Sequence, residues 1–224
     1  MKKKAVILLS GGLDSTTCLA YAKAKGYECF ALSFDYAQRH RTELNAAKHI
    51  AQYFNVNEHK IIPLDLSLIG GSALTDKKMN IEKYSAEQLI PTTYVPARNT
   101  IFFSVALGYA EVINADYIIT GISAVDYSGY PDCRPEYLNA FQTMADYATK
   151  KGVMDKSIRF LAPLIYLTKA ETIKLGTKLG VNYAMTVSCY QANAQGAACG
   201  ECDSCVLRKQ GFEKAQLADP TCYR

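Results

Sequence analysis

Two groups of residues in this sequence have the types and spacing needed for chemistry. The first is Ser10-Gly11-Gly12-Leu13-Asp14-Ser15-Thr16-Thr17, directly after the apolar run Ala5 to Leu9. A buried strand, a glycine turn and then a helix make an anion site. Small residues let backbone N–H groups approach the ligand, and the helix dipole favours negative charge there. Ser10, Ser15 and Thr16 add hydroxyl donors for phosphate oxygens. Asp14 would repel a phosphate unless a divalent cation bridged the two, so the pattern predicts a pyrophosphate cradle with Mg²⁺. No lysine follows the glycines in GxxxxGK[ST] spacing, and GxGxxG is absent, which excludes the ATPase P-loop and the dinucleotide fingerprint. The plain alternative is a Ser/Gly-rich connection with no ligand.

The second group is Cys189, Cys199, Cys202 and Cys205, spaced C-x₉-C-x₂-C-x₂-C with turn-forming Gly200, Glu201, Asp203 and Ser204 between them. Thiolates two residues apart converge on one metal, and four of them close a tetrahedral Zn²⁺ site with no open position, which makes its role structural. A [4Fe–4S] run also begins C-x₂-C-x₂-C, but its next cysteine would fall at Lys209. Cys18 and Cys29 lie in apolar runs and read as core.

These groups must be positioned by a fold, and the chain is long enough for one. At 224 residues it suits a single α/β domain with a small appendage. Eight cysteines in that length are too dilute for a disulfide scaffold, and the thiol cluster suits a metal in a reducing compartment. A net charge of +4 favours anionic small ligands and falls short of a nucleic-acid stripe. Lys2-Lys3-Lys4 resembles the start of a signal peptide, but the apolar run after it is too short, and no run could span a membrane. A cytoplasmic protein without a membrane partner is expected, with packing of apolar helices and the zinc tail into a homodimer as a further expectation.

Taken in order, Cys29 to Phe34 reads as a second strand, Arg41 to Phe54 as an amphipathic helix and Lys60 to Leu64 as a third strand. Asp116 to Thr120 and Ile158 to Ala162 supply two more strands, with helices over Leu13 to Lys25, Ile101 to Ile113 and Glu136 to Lys150. This alternation predicts a doubly wound parallel sheet with ligands at the carboxyl ends of its strands. Residues 1–187 are then a nucleotide-binding domain and 188–224 a zinc-binding tail. The backbone at Ser33 or Phe34 is where an adenine edge is expected, and residues 65–99 read as an insertion or lid. Arg98 and Asn99, delivered at a helix start, suit a carboxylate or phosphate. Thr168 and Glu171 have capping-box spacing, which leaves Lys169 at the helix start to meet a phosphate.

The SGGxDS loop resembles that of the N-type ATP pyrophosphatases, which cleave ATP between its α- and β-phosphates. Four further stretches narrow the resemblance to one branch, the 7-cyano-7-deazaguanine synthases of the queuosine pathway: Asp35-Tyr36-Ala37-Gln38-Arg39-His40, Val95 to Asn99, Asp126 to Pro135, and Ser188-Cys189-Tyr190 with the cysteine run. One departure is Ala37, where glycine is expected. The resemblance implies an adenine nucleotide alpha hydrolase-like fold and an ATP-dependent conversion of 7-carboxy-7-deazaguanine and ammonia to the nitrile, with no direct nucleic-acid contact. It also implies roles. Leu8, Leu9, Ser10, Gly11, Gly12, Leu13, Asp14, Ser15, Thr16, Thr17 and Cys18 would bind ATP. Asp14, Ser15, Arg98, Lys169 and His40 would serve catalysis. Arg98, Asn99, Asp126, Tyr130 and Asp132 would bind substrate, the carboxylates reading the N–H donors of a guanine-like edge while a tyrosine stacks on the ring. Thiolation of tRNA by the same ATP chemistry would need an RNA-binding module and a sulfur-carrying cysteine. A non-catalytic nucleotide-and-zinc regulator is the third possibility, and a glutamine-fed amidotransferase would need a glutaminase domain.

Overall fold

The first strand, β1 (Lys4–Leu8), is apolar on both faces, and Ala5, Val6 and Ile7 are fully buried. Strand side chains alternate, so Val6 packs on one side with Phe103, Ala106 and Ala110. Ala5 and Ile7 pack on the other with Cys18, Leu19, Ala22 and Ala47. A strand buried on both faces must be central, with helices above and below. A computed structural model describes residues 2–84, 90–125, 130–154 and 156–224 in this arrangement. Strands β2 (Glu28–Asp35), β3 (Glu58–Pro63), β4 (Tyr117–Ile119) and β5 (Arg159–Leu161) complete a parallel sheet in the order β3-β2-β1-β4-β5. Chain order reverses between β1 and β4, and the crevice at such a point is where ligands bind.

The helices are α1 (Leu13–Ala24), α2 (Thr42–Tyr53), α3 (Arg98–Val112), α4 (Pro135–Ala148), α5 (Lys150–Val153), α6 (Lys169–Lys178) and α7 (Asp203–Ala215). Glycines fix how closely α1 can be set at the crevice. A Cβ on Gly11, whose φ is +87°, would stand 2.1 Å from the Glu43 carbonyl oxygen of α2. A Cβ on Gly121, just past β4, would stand 3.0 Å from the Asp14 carbonyl carbon. The turn after β1 is thus held between α2 and the end of β4.

The capping box forms: Thr168 Oγ1 accepts from the Glu171 N–H at 3.3 Å, and Glu171 Oε2 accepts from the Thr168 N–H at 2.8 Å. The helix expected over 136–150 instead breaks at Thr149, whose backbone is extended and whose hydroxyl caps the Gly152 N–H of α5. Between Leu68 and Arg98 no described residue lies in a helix or strand. That stretch is tied down from two directions. Arg39 donates to the carbonyls of Ala73, Asp76 and Met79, while Lys83 pairs with Glu201 at 2.8 Å. Helix α7, which no apolar periodicity announced, lies on α6. There a Cβ on Gly211 would come within 2.4 Å of Lys169 Cγ.

Ala37 has φ of +65°, the left-handed region that side chains disfavour. Replacing it with glycine removes that strain but adds freedom to the unfolded chain. Ala37→Gly is therefore expected to raise stability by up to about 1 kcal/mol, read as an upward shift in the denaturant midpoint. A fall in the midpoint would contradict the assigned turn.

Candidate active site

One cavity opens at the carboxyl ends of β1, β2 and β4, and the phosphate-loop residues Ser10, Gly12, Leu13, Asp14 and Ser15 form one wall. Leu8 and Leu9 also line it. The remaining expected ATP-binding residues are internal. Thr16 and Thr17 are buried and donate their hydroxyls back to the Gly12 and Leu13 carbonyls at 2.7 and 2.9 Å. The Cys18 thiol, fully buried and raised well above its usual range by that burial, points its sulfur at the Thr120 carbonyl. Gly11 is spent on the contact with α2.

Within the loop, hydroxyls already accept three N–H groups: Ser15 Oγ from Ser10 at 3.2 Å, Ser10 Oγ from Gly12 at 3.3 Å, and Ser188 Oγ from Leu13 at 3.2 Å. The Asp14 and Ser15 N–H groups stand in the first helical turn, which orphans its donors. Neither has a protein acceptor among the described residues. They are the donors left for an anion.

Lys169 Nζ lies 2.7 and 2.8 Å from the two oxygens of Asp14, and its side chain is only 8% exposed. The carboxylate charge that was expected to need a bridging cation is thus met by a lysine. Lys169 reaches the cavity through Asp14 and does not line it.

Arg98, first residue of α3, also lines the cavity, with its guanidinium 5.8 Å from the centroid of the Tyr36 ring. Arginine stays charged at any working pH and offers a planar fork of donors. Asn99 follows it, buried. Its main-chain N–H donates to Asp132 Oδ2 at 3.0 Å, and its amide donates to the Asp132 carbonyl at 2.9 Å. Asp132 therefore caps the start of α3 and is not among the cavity residues. Tyr130 lines the cavity, its hydroxyl 3.0 Å from Thr93 Oγ1. Asp126 lies outside the described residues. His40 also lines the cavity; its Nδ1 meets Thr42 Oγ1 at 2.8 Å, and burial holds its pKa below the ordinary value.

Sequence reasoning passed over Glu43. It lines the same cavity, and burial pushes its carboxyl up to about 7, against the lowering pull of Arg98 and of the Gln38 amide. It also passed over Arg208 of α7, which is 3% exposed. That guanidinium donates to Asp219 Oδ1 at 3.0 Å, Thr186 Oγ1 at 2.7 Å, the Tyr183 carbonyl at 3.1 Å and Ser188 Oγ at 3.4 Å. Ser188 in turn holds the phosphate loop through Leu13, and the Val187 N–H donates to the Gly11 carbonyl.

Next to Ser188 begins the thiol cluster. The sulfurs of Cys189, Cys199, Cys202 and Cys205 all lie within 4.8 Å of one another and form a group able to hold a metal ion. Main-chain N–H groups of Gln191 and Cys199 donate to Cys189 Sγ at 3.2 Å each. Hydrogen bonds from the Cys202 and Cys205 thiols, with these amides, hold the Cys189 thiol well below its usual range. No helix among the described residues is long and apolar enough to cross a membrane.

The parallel, doubly wound sheet defines an α/β fold of the adenine nucleotide alpha hydrolase-like type. Its similarity to an NMN synthetase from Francisella tularensis agrees, with a TM-score of 0.51 at 17% identity, covering 97% of this chain and 88% of that one. A 4-thiouridine synthetase solved with RNA and ATP gives a TM-score of 0.50 at 19% identity, covering 99% and 47%. At those identities the likeness is one of fold. The chain belongs to the family described as "Queuosine biosynthesis protein QueC", whose model matches residues 4–216. A relative from Coxiella burnetii, 62% identical over 221 residues, covers 99% of this chain and 98% of its own length. One from Legionella pneumophila is 58% identical over 222 residues, covering 99% and 97%. Both are named 7-cyano-7-deazaguanine synthase.

Removing Arg208 strands Asp219 and frees Ser188. Arg208→Ala is expected to cost about 3–5 kcal/mol, as for breaking a buried ion pair, measured by denaturant unfolding. A loss below about 1 kcal/mol would show that the segment does not depend on this side chain.

Proposed function

We propose that this protein converts 7-carboxy-7-deazaguanine and ammonia, with ATP, into 7-cyano-7-deazaguanine. The observation that carries the reading is one cavity lined both by the turn after β1, with its free N–H donors, and by Arg98. The name shared by relatives of 58–62% identity supplies the substrate.

A carboxylate is a poor electrophile and must first be activated. Arg98 steadies the acid while one of its oxygens attacks the α-phosphorus of ATP. The bond to the β-phosphate breaks, and pyrophosphate leaves toward the Asp14 and Ser15 N–H groups and the positive end of α1. Ammonia then attacks the acyl adenylate, AMP departs with the bridging oxygen, and the ammonium loses a proton. The amide oxygen attacks the α-phosphorus of a second ATP and a second pyrophosphate leaves; loss of AMP and two protons then gives the nitrile. His40, at the cavity wall, is our candidate for relaying those protons. The protein's contribution is mainly orientation and charge stabilisation.

Mg²⁺ fits here as the counter-ion of the triphosphate, with Asp14 the nearest loop carboxylate. Lys169 then sets the charge and direction of Asp14 and steadies phosphate through it. In the thiol cluster we infer Zn²⁺. Zn–S bonds of about 2.3 Å give sulfur–sulfur edges of about 3.8 Å, and Cys199 and Cys205 stand 3.9 Å apart. A four-iron cluster would spread the thiolates further. We read residues 188–224 as a zinc-binding segment on a nucleotide-binding body. Exposed Val112, Tyr147 and Val153, on neighbouring helices, support self-association into a homodimer.

The protein mixed with ATP, ammonium and 7-carboxy-7-deazaguanine is expected to yield the nitrile by mass, with AMP and pyrophosphate. Transfer of sulfur to tRNA without nitrile would favour the thiolation reading. Asp14→Asn keeps the shape of the Lys169 contact and removes its charge. It is expected to lower kcat by at least about 100-fold with an unchanged far-UV spectrum, and an active variant would refute the role of that carboxylate. Metal analysis is expected to find one Zn²⁺ per chain. Chelation should lower the unfolding midpoint and loosen the phosphate loop, because Ser188 adjoins Cys189; an unchanged midpoint would contradict a structural metal.

A further inference from the structure

Glu43 stands in the first turn of α2 with its main chain packed under Gly11, so its position is fixed by the same contact that shapes the phosphate loop. Its side chain lines the same cavity as Arg98, whose charge acts on it from beyond ion-pair distance. Gln38 orients it: the Gln38 amide donates to Glu43 Oε1 at 3.1 Å, and Gln38 Oε1 is itself held by the Tyr36 N–H at 2.8 Å. Among the described residues no lysine or arginine pairs with the Glu43 carboxylate, and Gln38 satisfies one of its two oxygens. A buried carboxylate needs partners for its remaining lone pairs, and leaving them empty is unfavourable. Burial also pushes the Glu43 carboxyl upward, against the pull of Arg98 and the Gln38 amide.

The wall beside it is flat and aromatic. Phe34 and Phe102 stack at 4.0 Å with a 6° interplanar angle, and Tyr36 meets Phe102 edge-on. The missing partner is therefore a planar group bearing adjacent N–H donors. Asp132, the acid expected to meet such donors, is committed to the start of α3. Among the described cavity residues the other carboxylate is Asp14, already held by Lys169.

We propose that Glu43 determines substrate specificity, its carboxylate accepting the N1–H and 2-amino donors of the deazaguanine ring. This rests on the function proposed above and names the group that reads the base. A carboxylate accepts two parallel N–H donors well, and Watson–Crick-edge hydrogen bonds are how enzymes read an unpaired base. A ribose diol would also suit a carboxylate, so the test must separate the two ligands.

The experiment compares kcat/KM for 7-carboxy-7-deazaguanine and for its analogue lacking the 2-amino group, in the native enzyme, Glu43→Gln and Glu43→Asp. The native enzyme is expected to prefer the amino substrate by at least about 100-fold, because a site built for a donor rejects its absence. Glu43→Gln should bring that preference below about 10-fold with KM for ATP unchanged, and Glu43→Asp should retain part of it. Equal losses on both substrates, or an undiminished preference, would overturn the proposal while leaving the synthase reading intact. A changed preference between ATP and 2′-deoxy-ATP would overturn it in favour of ribose binding. Failure of the native enzyme to make nitrile would remove both.

Discussion

A buried ammonium must be neutralised where it sits, and the ligand end of this sheet is arranged around one such group. Lys169 has both oxygens of Asp14 within hydrogen-bonding distance, which locks the start of α6 to the first turn of α1. Its aliphatic stem lies where any side chain at residue 211 would be, so α7 follows α6 into place. Helix α7 carries Arg208, which holds Ser188, which holds the phosphate loop. The contacts form a closed ring from loop to lysine to cysteine-bearing segment and back. Opening one of them loosens the others, because buried polar groups depend on one another for satisfaction.

This ring gives the thiol cluster a function in a site it never touches. Cys189 directly follows Ser188, and a metal holding four thiolates would fix that segment far more firmly than a loop could fix itself. His40 meets the main chain of Cys189 and Tyr190 from the cavity side, a second link between the cluster and the site. The 65–99 stretch joins through Lys83 and Glu201. Three separate parts of the sequence therefore meet the segment 188–205 that carries the thiols.

What could be read from the sequence was local. The doubly buried β1, the glycine turn after it, the capping box at Thr168 and the cysteine spacing each carry their signal within a few residues. What the sequence could not show involved partners far apart in the chain. Asp132 has the right chemistry for a base edge, but its carboxylate serves the backbone of Asn99, 33 residues away. Asp14 also has Lys169, 155 residues on, beside it, a partner the loop alone does not announce. Thr16 and Thr17 look like ligand hydroxyls until helix geometry turns them back onto their own carbonyls. A signal was nonetheless available. Glycine within a helix costs about 1 kcal/mol relative to alanine and implies a close approach, which Gly176 and Gly211 both make.

The central claim is that the turn after β1 holds the departing pyrophosphate, so that the α-phosphorus of ATP is the atom attacked. Both oxygens of the acid must then end in AMP, one in each of two molecules. Turnover of 7-carboxy-7-deazaguanine labelled with ¹⁸O in both carboxylate oxygens, followed by mass analysis of the phosphate products, reads this directly. The account predicts one heavy oxygen in each AMP and none in inorganic phosphate; label in inorganic phosphate would mean that the γ-phosphorus is attacked and that the loop does something else.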